Sequence, residues 1–179
     1  MRNVVLIGFM GTGKTTTGTA LAKTIGFSFH DLDEAVETES GMTIPQIFAE
    51  KGEPYFRACE KQMVKKAAAM DRAVIATGGG TVKDEENVRA LRETGIIVAL
   101  TANVNTILQR TGTKGVRPVL DGEDGGNRKK AIEKLLFERR GLYAQADFSV
   151  DTSDRSAQEV ADAIIETLKT RGEYDVGMA

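Results

Sequence analysis

Gly8-Phe9-Met10-Gly11-Thr12-Gly13-Lys14-Thr15 follows an apolar run and leads into a helix-like stretch. It satisfies G-x-x-x-x-G-K-[ST], the pattern of a loop that wraps phosphate groups. Glycines let the backbone approach an anion without Cβ obstruction, and the helix that follows aims its N-terminal N–H groups and positive dipole end at the charge. In that geometry Lys14 reaches the β- and γ-phosphates of a nucleotide and the Thr15 hydroxyl serves Mg²⁺. The competing reading, a glycine-rich turn with a chance Lys-Thr pair, leaves the strand-to-helix context unexplained. A dinucleotide fingerprint G-x-G-x-x-G starts at Gly11 and Gly13 but fails at Thr16.

Two further groups carry residue types that phosphoryl transfer uses. Asp31-Leu32-Asp33 closes a second apolar run, and carboxylates at i and i+2 of an extended chain project to one side about 6.5 Å apart. Beside a phosphate loop, one carboxylate serves Mg²⁺, directly or through its waters, and the other faces an acceptor hydroxyl. Either aspartate also suits a helix N-cap, and Asp33 precedes Glu34, Ala35 and Val36 as a cap would. Thr77-Gly78-Gly79-Gly80 ends a third run. Three consecutive glycines do not sit inside a stable helix or strand, so they imply close backbone approach to an anionic or hydroxylated acceptor, with a flexible turn as the alternative.

Other reactive residue types point elsewhere. His30 is the only histidine, which excludes a His-based triad or a histidine metal cluster, and it reads as packed or hydrogen-bonded within its strand. The single cysteine, Cys59, makes no internal disulfide and reads as a small buried hydrophobe. Arg128-Lys129-Lys130 opens a helix, where cations oppose the dipole, and reads as a solvated face. Met63 and Met70 lie at helical spacing among apolar neighbours and read as core.

The elements that must hold these residues alternate as βαβα. Strands are expected at 4–7, 27–30, 73–76, 96–100 and 148–150, and helices at 14–24, 33–40, 45–51, 54–69, 85–94, 104–110, 127–143 and 157–171. Gly26 and Gly95 fall where C-terminal caps belong, and Thr43-Ile44-Pro45 places proline near a first helical turn. Parallel strands joined by helices give an α/β sheet covered on both faces, with ligands outside the carboxyl ends of the strands. Thr111 to Gly126 interrupts the pattern with five glycines, Pro118 and five charged side chains. It reads as a mobile lid or binding loop, with a tolerated surface insertion as the alternative, and the tail from Gly172 as frayed.

The chain has 179 residues, enough for one domain that buries roughly 70% of its unfolded surface. Lys and Arg number 24 against 26 Asp and Glu, so no global charge draws it to nucleic acid or to an acidic membrane. No apolar run approaches the roughly 20 residues that cross a bilayer. A soluble, cytosolic, monomeric protein without nucleic-acid or membrane partners is expected.

Taken in order, GFMGTGKT, Asp31-Leu32-Asp33, IPQIFAEKGEPYFRACE, AVIATGGG, Arg117-Pro118 and ERRGLY resemble the shikimate kinases, small P-loop proteins of the nucleoside-monophosphate-kinase-like group, over nearly the whole chain. The resemblance implies a three-layer αβα sandwich: a P-loop kinase fold with a five-stranded parallel sheet in order 2-3-1-4-5. A substrate-binding helical insertion would lie at about 33–60 and a lid at about 111–126. It further implies that Gly11, Thr12, Gly13, Lys14, Thr15 and Thr16 hold ATP phosphates and that Thr15 and Asp31 serve Mg²⁺. Asp33 would bind the acceptor's ring hydroxyls and take the proton. Arg57, Gly78 to Gly80 and Arg139 would contact shikimate, Arg117 the transferring phosphate, and Arg110 and Arg155 the adenine pocket. Cationic forks and hydroxyl acceptors suit an acceptor with one carboxylate and three hydroxyls.

Gly141 departs from the family's proline, and the acidic, glycine-rich stretch 120–127 alters the lid. The expected reaction is transfer of the ATP γ-phosphoryl group to the 3-hydroxyl of shikimate. The alternatives are a kinase of another polyhydroxy acid such as gluconate, or a regulatory nucleotide-binding module that has kept the phosphate loop.

Overall fold

Five short segments, the inner three rich in Val, Ile and Ala, build one all-parallel sheet in order β2-β3-β1-β4-β5. The strands are β1 (Asn3–Gly8), β2 (Ser28–Asp31), β3 (Ala73–Ala76), β4 (Gly95–Thr101) and β5 (Phe148–Asp151). The helices are α1 (Lys14–Ile25), α2 (Leu32–Ser40), α3 (Ile44–Glu50), α4 (Glu53–Ala68), α5 (Glu85–Thr94), α6 (Val104–Gly112), α7 (Arg128–Tyr143) and α8 (Ala157–Thr170). They come from a computed structural model that describes residues 2–112 and 128–174. The strand order is the one the resemblance implied. Among the described residues no helix is long and apolar enough to cross a membrane.

Residues of β1 alternate between two cores, as the period of two requires. Val5 and Ile7 join Ile75 and Ile97 under Leu32, Val36, Val64 and Leu91 from α2, α4 and α5. Val4 and Leu6 join Val74 and Val98 under Leu21 and Ile25 of α1 and Val160, Ile164 and Leu168 of α8. Each such side chain contributes about 1.5–3 kcal/mol when fully buried. With helices on both faces, β1 has no polar side to display, so its six residues are all buried. Asn3, itself buried, donates to the Met70 carbonyl at 2.8 Å and accepts from the Ala73 amide at 2.9 Å, which sets where β3 starts against β1.

Helix punctuation follows the expected chemistry in most places. Gly26 caps α1 in the left-handed region (φ 69°), and Thr43 with Gln46 forms a capping box over α3, with Pro45 in its first turn. Gly95 stands at the C-cap of α5, but not in the left-handed form. Its φ of −133° is extended and it opens β4, where a Cβ would stand 2.8 Å from Val5 Cγ2. Close packing selects glycine there. The N-cap of α2 is Asp31, not Asp33, and a short 3₁₀ turn at Thr81–Lys83, absent from the expected pattern, follows the glycine run. Met63 is buried and Met70 partly buried against the same core, while Cys59 is only half-buried.

The phosphate-loop helix α1 lies close on the sheet because residue 18 has no side chain. A Cβ on Gly18 would sit 2.4 Å from the Phe29 ring and 3.2 Å from Leu6 Cδ1. Gly18→Ala is therefore expected to cost about 1–3 kcal/mol despite alanine's better helix propensity, read as a lower urea midpoint at unchanged slope. A raised midpoint would contradict this packing.

Candidate active site

Every loop that leaves the carboxyl end of β1, β2 or β3 meets at one cleft of about 510 Å³. Its floor is the loop between β1 and α1. Thr12 closes that loop by donating to the Phe9 carbonyl at 2.7 Å, and Gly13 holds a left-handed φ of 87° as the residue before α1. No side chain caps α1 and its first turn has no acid, so the positive end of the helix faces the cleft. Lys14 curls back over the loop, its Nζ donating to the carbonyls of Gly8 at 2.9 Å and Phe9 at 3.0 Å. The ammonium is thereby held within the loop's own curvature.

Asp31 joins this loop to α2. Its Oδ1 accepts from the Asp33 amide at 3.0 Å, and its Oδ2 accepts from the Thr15 hydroxyl at 2.7 Å. The pairing of Asp31 with Asp33 thus does not arise from two residues on one extended strand. Asp31 ends β2 and Asp33 lies in the first helical turn, yet both line the cleft. The adjacent Thr15 hydroxyl and Asp31 carboxylate are hard oxygen donors. They fit Mg²⁺, which takes one or two protein oxygens and completes its shell with waters and phosphates. No cluster of three or more acidic, histidine or cysteine ligands exists among the described residues.

Asp33 faces the glycine run. A Cβ on Gly78 would lie 2.7 Å from Asp33 Oδ1 and 3.1 Å from Glu60 Oε1. Burial raises the Asp33 carboxyl to about 6, with the Asp31 charge adding to the shift and Lys14 opposing it.

The glycine run is a turn packed against charge. Gly78 and Gly80 accept from Thr81 and Lys83 amides, forming the 3₁₀ turn. A Cβ on Gly80 would come within 2.9 Å of Arg57 Nη2. Arg57 is held by Glu60 at 2.7 Å and by Glu53 at 3.2 Å, and Glu60, fully buried, also accepts from the Thr81 hydroxyl at 2.7 Å. On the other side Gly79 offers its carbonyl to Arg139 Nη1 at 3.3 Å and to the Tyr143 hydroxyl at 2.9 Å. Arg139 is buried, its guanidinium 5.4 Å from the Phe9 ring centroid. Burial also raises the Tyr143 phenol.

The structure therefore brings Gly11 to Thr16, Asp31, Asp33, Arg57, Gly78 to Gly80 and Arg139 into one neighbourhood. Arg110 and Arg155 line the same cleft at its far end, Arg110 donating to the Gly11 carbonyl at 3.3 Å and Arg155 to the Asp151 and Glu159 carbonyls. Arg117 and residues 113–126 of the expected lid lie outside the described residues. His30 contacts Ser28 Oγ at 3.0 Å, as a strand histidine should. Arg128 is half-buried and donates to the Thr111 carbonyl, so only Lys129 and Lys130 of that basic run are a solvated face.

Glu60, Phe9, Tyr143 and Thr152 carry site geometry that sequence reasoning missed. The i,i+3 spacing of Arg57 and Glu60 and the i,i+4 spacing of Arg139 and Tyr143 were available signals.

A family model described as shikimate kinase matches residues 10–169. The shikimate kinase of Thermodesulfovibrio yellowstonii is 46% identical over 165 residues, covering 92% of this chain and 94% of its own. That of Caldanaerobacter subterraneus subsp. tengcongensis is 44% identical over 173 residues, covering 96% and 99%. Among solved structures, shikimate kinase from Acinetobacter baumannii in complex with shikimate aligns with a TM-score of 0.90 at 35% identity, covering 96% of this chain and 94% of that one.

The raised carboxyl of Asp33 has a stability consequence with a definite sign. Folded Asp33 titrates at about 6 against 3.8 when exposed, so the folded state holds the proton more tightly. The carboxylate then subtracts stability above pH 6, and the deficit shrinks to nothing as pH falls through 4. In metal-free buffer Asp33→Asn is expected to raise stability at pH 7.5 by roughly 2 kcal/mol and to leave it unchanged near pH 3.5, measured by urea unfolding. Equal effects at both pH values would contradict the burial of this charge.

Proposed function

The chain belongs to the shikimate kinase family, and from that membership we propose that it transfers the γ-phosphoryl group of ATP to the 3-hydroxyl of shikimate, giving shikimate 3-phosphate and ADP. The step serves aromatic amino-acid biosynthesis. The observation that carries the reading is that the phosphate loop shares one cleft with Asp31, Asp33 and Gly79, while Arg57 and Arg139 pack against the glycine run at its edge. A regulatory module that had kept only its nucleotide would have no use for the second set.

In this reading one unit contains the whole machinery, with the acceptor-binding helical insertion at about 33–60 and the lid at about 111–126. The acceptor carboxylate sits between the guanidinium groups of Arg57 and Arg139. Glu53 and Glu60 fix the fork of Arg57 before substrate arrives, and the Phe9 ring and Gly79 carbonyl fix that of Arg139. Such anchoring orients a rigid ring so that one hydroxyl faces Asp33. Asp33, ionised at neutral pH yet more basic than an exposed carboxylate, accepts the hydrogen bond of that hydroxyl and takes its proton as the oxygen is phosphorylated.

Lys14, from within the loop, and Arg117, from the lid, stabilise charge on the transferring group. Arg110 and Arg155 flank the nucleotide's far end. Thr15 and Asp31 would hold Mg²⁺, which when bound offsets negative charge on the phosphate oxygens. Lid closure excludes the water that would otherwise compete with the acceptor.

ADP release by purified protein with MgATP, compared for shikimate, gluconate and no acceptor, tests the proposal. Shikimate-dependent release lost in Asp33→Asn is expected. Release with gluconate alone would keep the kinase and discard the acceptor, and ATP binding without acceptor-dependent release would favour the regulatory reading. Lys14→Ala and Arg117→Ala should lower kcat by about a hundredfold or more while the KM for shikimate changes little. Normal turnover in both variants would remove their assigned roles.

A further inference from the structure

Thr152 is buried just past the end of β5, and its hydroxyl touches three separate parts of the chain. Its Oγ1 stands 2.9 Å from the Thr12 carbonyl of the phosphate loop and 3.1 Å from the Thr101 carbonyl at the end of β4, and it accepts from Arg110 Nη1 at 3.0 Å. A hydroxyl has one proton to give. Thr101 already accepts the Thr152 backbone amide at 2.8 Å, so the shorter bond to Thr12 is the one the hydroxyl proton serves. Arg110 closes the arrangement, its Nη2 donating to the Thr152 carbonyl at 2.8 Å and its Nη1 to the Gly11 carbonyl at 3.3 Å. Two successive carbonyls of the phosphate loop are thereby tied to one threonine and its arginine partner.

In a planar trans peptide the carbonyl and the following N–H point in opposite directions. Holding the Thr12 carbonyl toward Thr152 therefore turns the Gly13 N–H away from it, toward the concave side of the loop. The same bond helps hold Gly13 at its left-handed φ of 87°. Burial makes these bonds costly to lose, because a Thr12 carbonyl left without its donor has no ready access to water.

We propose that Thr152 is a positioning residue for the nucleotide: through the Thr12–Gly13 peptide and Arg110 it sets the direction of the phosphate-binding donors without contacting the acceptor. The inference rests on the reading of this cleft as an ATP site, but direct nucleotide titration separates the two.

The experiment compares wild type with Thr152→Val, which keeps shape and removes the hydroxyl, and Thr152→Ser, which keeps the hydroxyl. Thr152→Val is expected to weaken MgADP binding by isothermal titration, and to raise the KM for ATP, by about tenfold, with the KM for shikimate within about twofold. Thr152→Ser should stay within about threefold of wild type in MgADP affinity. A merely structural threonine would lower Tm in the valine variant and leave nucleotide affinity intact below the transition, which overturns the proposal. Equal weakening of shikimate, or a serine variant as weak as the valine variant, overturns it too. If the valine protein does not fold, Arg110→Lys probes the clamp from its half-buried partner, and unchanged MgADP affinity there refutes it. Wild type that binds MgADP tightly without phosphorylating shikimate would defeat the functional reading, while the titrations would still decide the role of Thr152.

Discussion

One carboxylate joins the two halves of this site. Asp31 accepts the Thr15 hydroxyl from the phosphate-loop helix and the Asp33 amide from the next helix, so the phosphate loop and the segment that carries Asp33 are joined through one side chain. The joint exists because β2 ends beside the start of α1, a consequence of the strand order and of the close approach of α1 to Phe29 over Gly18. A shift of that helix would move Lys14, Thr15 and Asp31 together relative to Asp33. Phosphoryl transfer depends on placement more than on covalent chemistry, so a joint of this kind governs whether the rest can act.

Around the joint, charge is placed at small cost by pairing it early. Arg57 is pinned by Glu53 and by buried Glu60, and Glu60 is satisfied in turn by Thr81. Arg139 is buried against an aromatic face and a glycine carbonyl that Tyr143 also holds. The glycines between these arginines are not spare flexibility. Side chains at 78 and 80 would run into Asp33 or into Arg57, so their smallness is what lets cation, anion and backbone approach the same point. Asp33 stands in this crowd as a carboxyl made basic by burial, and that property suits it to accept a proton.

Much of this was legible in the sequence because the sheet is covered on both faces. Strands such as β1 and β4 are continuous apolar runs, and the helices between them carry their own caps, so element bounds could be read to within about two residues. The phosphate loop was legible because its chemistry is local. Misreadings arose where the deciding neighbour is distant. Gly95 does stand at a helix C-cap, but in extended form, and the need for glycine there comes from Val5 on another strand. Asp31 and Asp33 were correctly grouped through the wrong geometry, since the strand ends between them. Thr152 was overlooked because its partner Thr12 lies 140 residues away, a distance no spacing rule spans, whereas Glu60 lay within reach of Arg57 at i,i+3.

The central claim is that this cleft moves a phosphoryl group from ATP to one hydroxyl of a ring acid held by two arginines. The most direct measurement is ³¹P–¹H correlation NMR of the product formed from MgATP and shikimate. The account predicts a single phosphate ester coupled to the proton on carbon 3, formed together with ADP. Coupling to a different ring proton would contradict the acceptor geometry, and inorganic phosphate as the only new species would contradict transfer to the acceptor altogether.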